Sequence, residues 1–165
     1  MNRLYLRMSV ADEVAAMPLP SRAEARQAIL RALSAFSARV QSAGQLLELS
    51  LAFVADGEMA SLNERYRGQA QPTNCLSFPQ AALPPMFRRD LLGDIVIAPT
   101  VVVREAAEQG KRLRDHYRHL LVHSTLHLLG YDHEVAVDAQ EMEALETRLL
   151  AEMGVADPYL NHMHE

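Results

Sequence analysis

The chain has no tryptophan, and Cys75 is its only cysteine among 165 residues. One thiol cannot close an intramolecular disulfide, so the fold rests on its core, and nothing calls for an oxidising compartment. Lysine is almost absent too: Lys111 stands against fifteen arginines. No stretch approaches the roughly 18 apolar residues of a membrane span. The first ten residues alternate apolar side chains with arginines, which is not the pattern of a secretory leader. Nor is there an excess of positive charge. A net charge of −5 and a pI near 5.8 argue against a strong non-specific nucleic-acid binder, while leaving room for a local basic site. A cytoplasmic protein with no membrane partner is the expectation.

What the chain does have is hydrophobic material, 49% of its residues, enough for a sizeable core at single-domain length. No repeat or linker divides residues 1–165. Leu4, Leu6 and Met8 alternate with Arg3, Tyr5 and Arg7, predicting a first strand. Ser21, with Glu24 three residues on, forms a capping box for a helix running to about Ala43. Leu46 to Ala55 reads as a strand with Leu47, Leu49, Leu51 and Phe53 on one face. Asp56 is expected to cap a short helix to about Tyr66, with Met59, Leu62 and Tyr66 turned inward. Gln71 to Asn74 is a turn, Cys75 to Phe78 a short strand closed by Pro79, and residues 80–90 a loop. A strand from Leu91 to Ala98 follows. Helices are expected over Pro99–Gln109, Lys111–Leu129 and Val137–Met153, with residues 155–165 a frayed tail. The fold class is α+β: one small mixed sheet of about four strands covered by about five helices.

The most informative segment runs from His123 to His133 and spaces three histidines as H-x-x-x-H-x-x-G-x-x-H. On a helix, His123 and His127 project from one face about a turn apart. Gly130 suits a helix C-terminus, because glycine accepts the left-handed conformation found there, and the chain can turn back to bring His133 to the same point. Three neutral imidazoles converging at the C-terminal end of a long helix make a zinc site with one open position, one ion per chain, the arrangement of a catalytic metal. The spacing is that of metzincin proteases, whose general base follows the first histidine. Here that position is Ser124, which cannot take a proton near neutral pH. His119 and His123 are also four residues apart and could pair on a metal; the downstream triplet is preferred for its glycine stop. Asp94 and Asp132 are candidates to orient histidines or to cap turns. Glu134 reads as a solvated carboxylate, and His162 and His164 as residues of a loose tail.

The same segment resembles the signature of the YbeY family of single-domain metal-dependent endoribonucleases. Two further segments agree in order: Leu62-Asn63-Glu64-Arg65-Tyr66-Arg67, followed by Pro72-Thr73-Asn74-Cys75-Leu76-Ser77-Phe78-Pro79, and Leu92-Gly93-Asp94-Ile95-Val96-Ile97. Departures are small. Ser124 and Cys75 replace the family's usual glycine and valine, and the lysine often found after the arginine is absent at Gly68-Gln69-Ala70. The resemblance implies zinc on His123, His127 and His133. It further implies a cleft toward Arg67, and action on single-stranded RNA at the 3′ end of small-subunit ribosomal RNA. A role in ribosome quality control, with the ribosome or small-subunit proteins as partners and no DNA, follows from the same likeness.

Three imidazoles leave the charge of a divalent ion uncompensated, which favours a phosphodiester and lowers the pKa of bound water toward about 7. Arg67 and His123 are the candidate catalytic residues, Arg67 as a clamp on the phosphate. Thr73 and Ser77 are candidates for hydrogen bonds to the substrate. The motifs hold no pair of carboxylates for a two-metal mechanism. Two other readings are a zinc peptidase, opposed by Ser124, and a non-catalytic, zinc-stabilised ribosome assembly factor.

Overall fold

The computed structural model describes residues 3–35, 46–80, 89–130 and 136–159. The elements are β1 (Arg3–Val10), α1 (Arg22–Ser34), β2 (Leu46–Phe53), α2 (Asp56–Arg67), β3 (Cys75–Pro79), β4 (Arg89–Ile97), α3 (Pro99–Gln109), α4 (Leu113–Leu128) and α5 (Ala136–Glu152). A short 3-10 turn, Asp12–Val14, links β1 to α1. The four strands form one sheet in the order β1-β2-β4-β3. β1, β2 and β4 run parallel, while β3 lies antiparallel to β4 at the edge. This is the expected mixed α+β architecture with five helices.

Alternation decides which face each residue serves. Leu47, Leu49, Leu51 and Phe53 of β2 and Ile95 and Ile97 of β4 join the larger core with α1, α4 and α5. The opposite parity, Leu76 and Val96, meets Met59 of α2 and Val101 of α3 in a second cluster. The sheet is therefore covered on both faces, and β3 is the rim between α2 and α4. Its seat depends on Gly93, which has φ +137° and lies so close to β3 that a Cβ would sit 2.2 Å from the Phe78 carbonyl oxygen. The bulge next to it is visible in the register: Glu48 faces Leu91, and Leu49 faces Gly93.

The Ser21–Glu24 capping box forms in both directions. The helix it starts is described to Ser34, so residues 36–43 of its expected run to Ala43 lie outside the described residues, as does most of the expected loop, 81–88. Two local expectations are corrected. Asp56 is the first helical residue rather than the cap, since Ala55 holds the cap position without a side-chain bond. Tyr66 does not turn inward. It is 59% exposed, because α2 buries Met59 and Asn63 and its last turn lies over the edge strand, where the ring rests on Phe78. Residues 155–159, expected to fray, are held instead: Val155 is buried, Lys111 Nζ donates to the Pro158 carbonyl, and Tyr159 reaches the site described next. Among the described residues no helix is long and apolar enough to cross a membrane.

Candidate metal centre

Helix α4 carries histidines at 116, 119, 123 and 127. Steps of three, four and four residues place them on one stripe. Successive rings stand 6.3, 6.0 and 4.6 Å apart from the first pair to the last. The helix stops where expected, with Leu129 as its cap and Gly130 at φ +106°, its amide bonded 3.0 Å from the His127 carbonyl.

The histidine nitrogens meet different partners. Glu146, fully buried on α5, accepts from His123 Nδ1 at 2.5 Å and from His119 Nε2 at 3.2 Å, and the Tyr159 hydroxyl also donates to it. Burial alone would raise the Glu146 carboxyl, but the hydrogen bonds from His119 and His123 outweigh it and hold the group down at about 2. It is therefore a carboxylate, and both imidazoles present it an N–H. Burial in turn lowers His119 from its usual value of 6.5, against the pull of Glu146, which keeps the ring neutral. The proton on Nδ1 leaves a lone pair on His123 Nε2, and that atom lies 3.1 Å from His127 Nε2. Two nitrogens about 2.0–2.1 Å from one zinc at a tetrahedral angle stand roughly 3.3 Å apart. The observed separation suits a shared ion as well as a shared proton, so the donor set fits a metal.

His119, His123 and Glu146 also form a group that could hold a metal, each offering one atom within 4.8 Å of the others. Its His123 Nδ1–Glu146 contact is already at hydrogen-bonding distance, so an ion bound through that nitrogen would have to displace the shared proton and part the two side chains. His133, the third histidine of the motif, lies outside the described residues, as do Asp132, Glu134, His162 and His164.

Strand β3 flanks this stripe. Ser124 is fully buried and its Oγ donates to Cys75 Sγ at 3.4 Å, while Ser77 Oγ donates to the Ser124 carbonyl at 3.4 Å. Cys75 is partly exposed as a residue, but its sulfur turns inward, and that burial pushes the thiol up to about 11. Arg67, exposed at the last position of α2, acts electrostatically on that thiol, as does Glu146 from the other side. Arg67, Cys75 and the histidine stripe thus share one rim of the sheet. Thr73 is partly exposed in the turn before β3, with no side-chain hydrogen bond among the described residues. Asp94 does not support the site. It sits mid-strand in β4 with Val96 parity, on the face opposite α4, near Arg7 and Glu48.

Residues 11–154 match the family model described as Endoribonuclease YbeY. The chain belongs to the YbeY family. A Chromohalobacter salexigens protein named Endoribonuclease YbeY is 56% identical over 112 residues, 68% of this chain and 72% of its own. A namesake from Xanthomonas campestris pv. campestris is 48% identical over 144 residues, 86% of this chain and 85% of its own. In structure, the chain resembles the solution structure of TM1509 from Thermotoga maritima, with a TM-score of 0.52 at 20% identity, covering 93% of this chain and 98% of that one. That last likeness concerns the fold alone.

The YbeY signature segments converge: the arginine-bearing helix end is α2, the Pro72–Pro79 segment leads into β3, and the histidine segment begins in the last turns of α4. Glu146 and Tyr159 were missed in the sequence. A signal for Glu146 was present, since it falls on the apolar stripe of α5 between the buried Met142 and Leu149. An acid at a core position calls for a partner.

Proposed function

We propose that the chain is a metal-dependent endoribonuclease acting on single-stranded RNA in the cytoplasm. Its substrate is the 3′ end of small-subunit ribosomal RNA, in maturation and in ribosome quality control, in contact with the ribosome or small-subunit proteins and not with DNA. The observation that carries this reading is the approach of His123 Nε2 to His127 Nε2 at 3.1 Å, with Glu146 behind His123. Family membership supplies the substrate class.

One zinc per chain would be held by His123, His127 and His133. It would supply Lewis acidity at a phosphoryl oxygen and an activated water at neutral pH. The chain's own residues do the rest. Glu146 locks the His123 tautomer and ring orientation, as carboxylates behind histidine ligands do. Arg67 binds the phosphate and stabilises the charge that develops on it. Thr73, with its hydroxyl unengaged among the described residues, can donate to a phosphate oxygen. Ser77 donates to the Ser124 carbonyl and so seats β3, the substrate-facing rim, on α4.

The peptidase reading loses ground on Ser124. That side chain is fully buried against Cys75, so the position of the protease base faces the sheet. The test is end-mapping of ribosomal RNA precursors with wild-type and His123→Ala protein, alongside elemental analysis. Cleavage at defined sites by the wild type, lost together with zinc in the variant, is expected. Cleavage that survives loss of the metal would refute metal dependence. No cleavage of RNA by a zinc-loaded protein that unfolds on chelation would make the metal structural and leave the assembly-factor reading.

A further inference from the structure

Tyr66 is the most exposed large hydrophobic residue among the described residues, at 59%, on a chain otherwise poor in aromatics. Its ring is not loose in solvent. It leans on Phe78 of β3 with centroids 4.8 Å apart and planes tilted by 60°. Phe78 is itself partly buried against the second core cluster, so the lower ring is anchored and the upper ring is presented on it. Successive residues on a helix point about 100° apart, so Arg65 and Arg67 project on either side of Tyr66. Neither arginine is paired with a carboxylate among the described residues, whereas Arg31, Arg114 and Arg118 each reach one. An exposed, supported ring between two guanidinium groups is complementary to a flat π surface joined to an anion.

We infer that Tyr66, backed by Phe78, is a stacking platform for an unpaired base of the RNA strand, with the adjoining phosphates between Arg65 and Arg67. This rests on the endoribonuclease reading above. Single-stranded nucleic acids are held by aromatic side chains under successive bases and by cations along the backbone. The platform lies on the α2 side of β3 and the histidines on the α4 side, so the strand passes over the sheet edge on its way to them. A base inside a duplex has both faces covered by its stacked neighbours, which makes Tyr66 a source of preference for unpaired RNA.

The test uses full-length, zinc-loaded protein and a short single-stranded RNA carrying 2-aminopurine, whose emission reports stacking. Because the ring is exposed, Tyr66→Leu retains the apolar contact with Phe78 and should fold. It is expected to raise KM by about 5- to 100-fold, with kcat and bound zinc little changed, and to abolish the change in 2-aminopurine emission. Tyr66→Phe should restore both. Removing the base at the stacked position should weaken binding to the wild type and not to Tyr66→Leu. An unchanged KM in Tyr66→Leu, with the wild type active, overturns the platform alone. A wild type that neither binds nor cuts RNA overturns the platform and the nuclease reading together.

Discussion

Glu146 Oε1 accepts a hydrogen bond from His123 Nδ1 at 2.5 Å, across 23 residues and from one helix to the next. The contact converts a buried acid into the device that decides which nitrogen of His123 keeps a lone pair. It also ties α5 to the business end of α4.

Glu146→Gln keeps the shape but offers one acceptor and one donor where two imidazoles and a phenol all donate. Loss of a partner of this type behind a histidine ligand lowers metal affinity about 10- to 100-fold. Competition between the protein and a zinc-sensitive chelator should show a shift in that range, with His123 still present. An affinity equal to wild type would mean that His123 needs no orientation from α5.

Acid should destabilise the metal-free protein through carboxylates that accept hydrogen bonds in the fold. Burial pushes Glu105 up, but hydrogen bonds from His116 and Asn74, both 3.0 Å from the same oxygen, outweigh it and leave the group below its usual 4.5. Glu146, at about 2, lies further in the same direction. A folded-state value below the unfolded one contributes stability that is complete above about pH 4.5. It is lost as pH falls toward the folded value, because the unfolded chain takes up the proton first. Urea midpoints measured from pH 6 downward should fall, and Glu105→Gln should flatten the slope below pH 4.5. A variant whose midpoint tracks wild type throughout would show that Glu105 is unperturbed.

Local chemistry made much of this readable beforehand. The Ser21–Glu24 box, the alternation in β2 and the Gly130 stop are short-range patterns, and each formed where the residues indicate. Convergence across helices was not readable. Glu146 looks like one acid among many in α5 until α5 lies beside α4, and periodicity marks only its position on the apolar stripe. Tyr66 misled for the complementary reason. Its spacing from Met59 and Leu62 suits a buried face, but whether a sheet extends far enough to cover it depends on strand order, and β3 proves to be the edge. Asp94 was open between orienting a histidine and capping a turn until the bulge beside Gly93 settled the parity of β4.

Gly93→Ala tests that bulge. A methyl group there would meet the Phe78 carbonyl oxygen at 2.2 Å and the Leu128 side chain at 2.9 Å, in a backbone conformation that side chains rarely adopt. β3 would have to lift away from β4, and with it the Ser77 and Cys75 contacts to Ser124. A loss of about 3 kcal/mol or more in chemical denaturation is expected for strain of this kind in a packed sheet. A loss below about 1 kcal/mol would mean that the edge strand moves freely, and β3 could not then serve as a fixed rim.

The Tyr159 hydroxyl makes the last argument, because it joins the chain's C-terminal segment to the histidine stripe. Its donor satisfies Glu146, and burial together with the nearby Glu146 charge raises the phenol, so it stays protonated at any working pH. Asp157 Oδ1 fixes the segment by accepting from the Tyr159 amide at 2.8 Å. Tyr159→Phe removes one hydrogen bond to a buried carboxylate while keeping the ring against His119, from which it stands 5.5 Å centroid to centroid. The expected cost is about 1.5–3 kcal/mol of folding stability, read from denaturant midpoints, with a smaller fall in zinc affinity than Glu146→Gln produces. A fall as large as that of Glu146→Gln would place Tyr159 on equal footing in orienting His123. No change in either measurement would detach the segment from the metal centre.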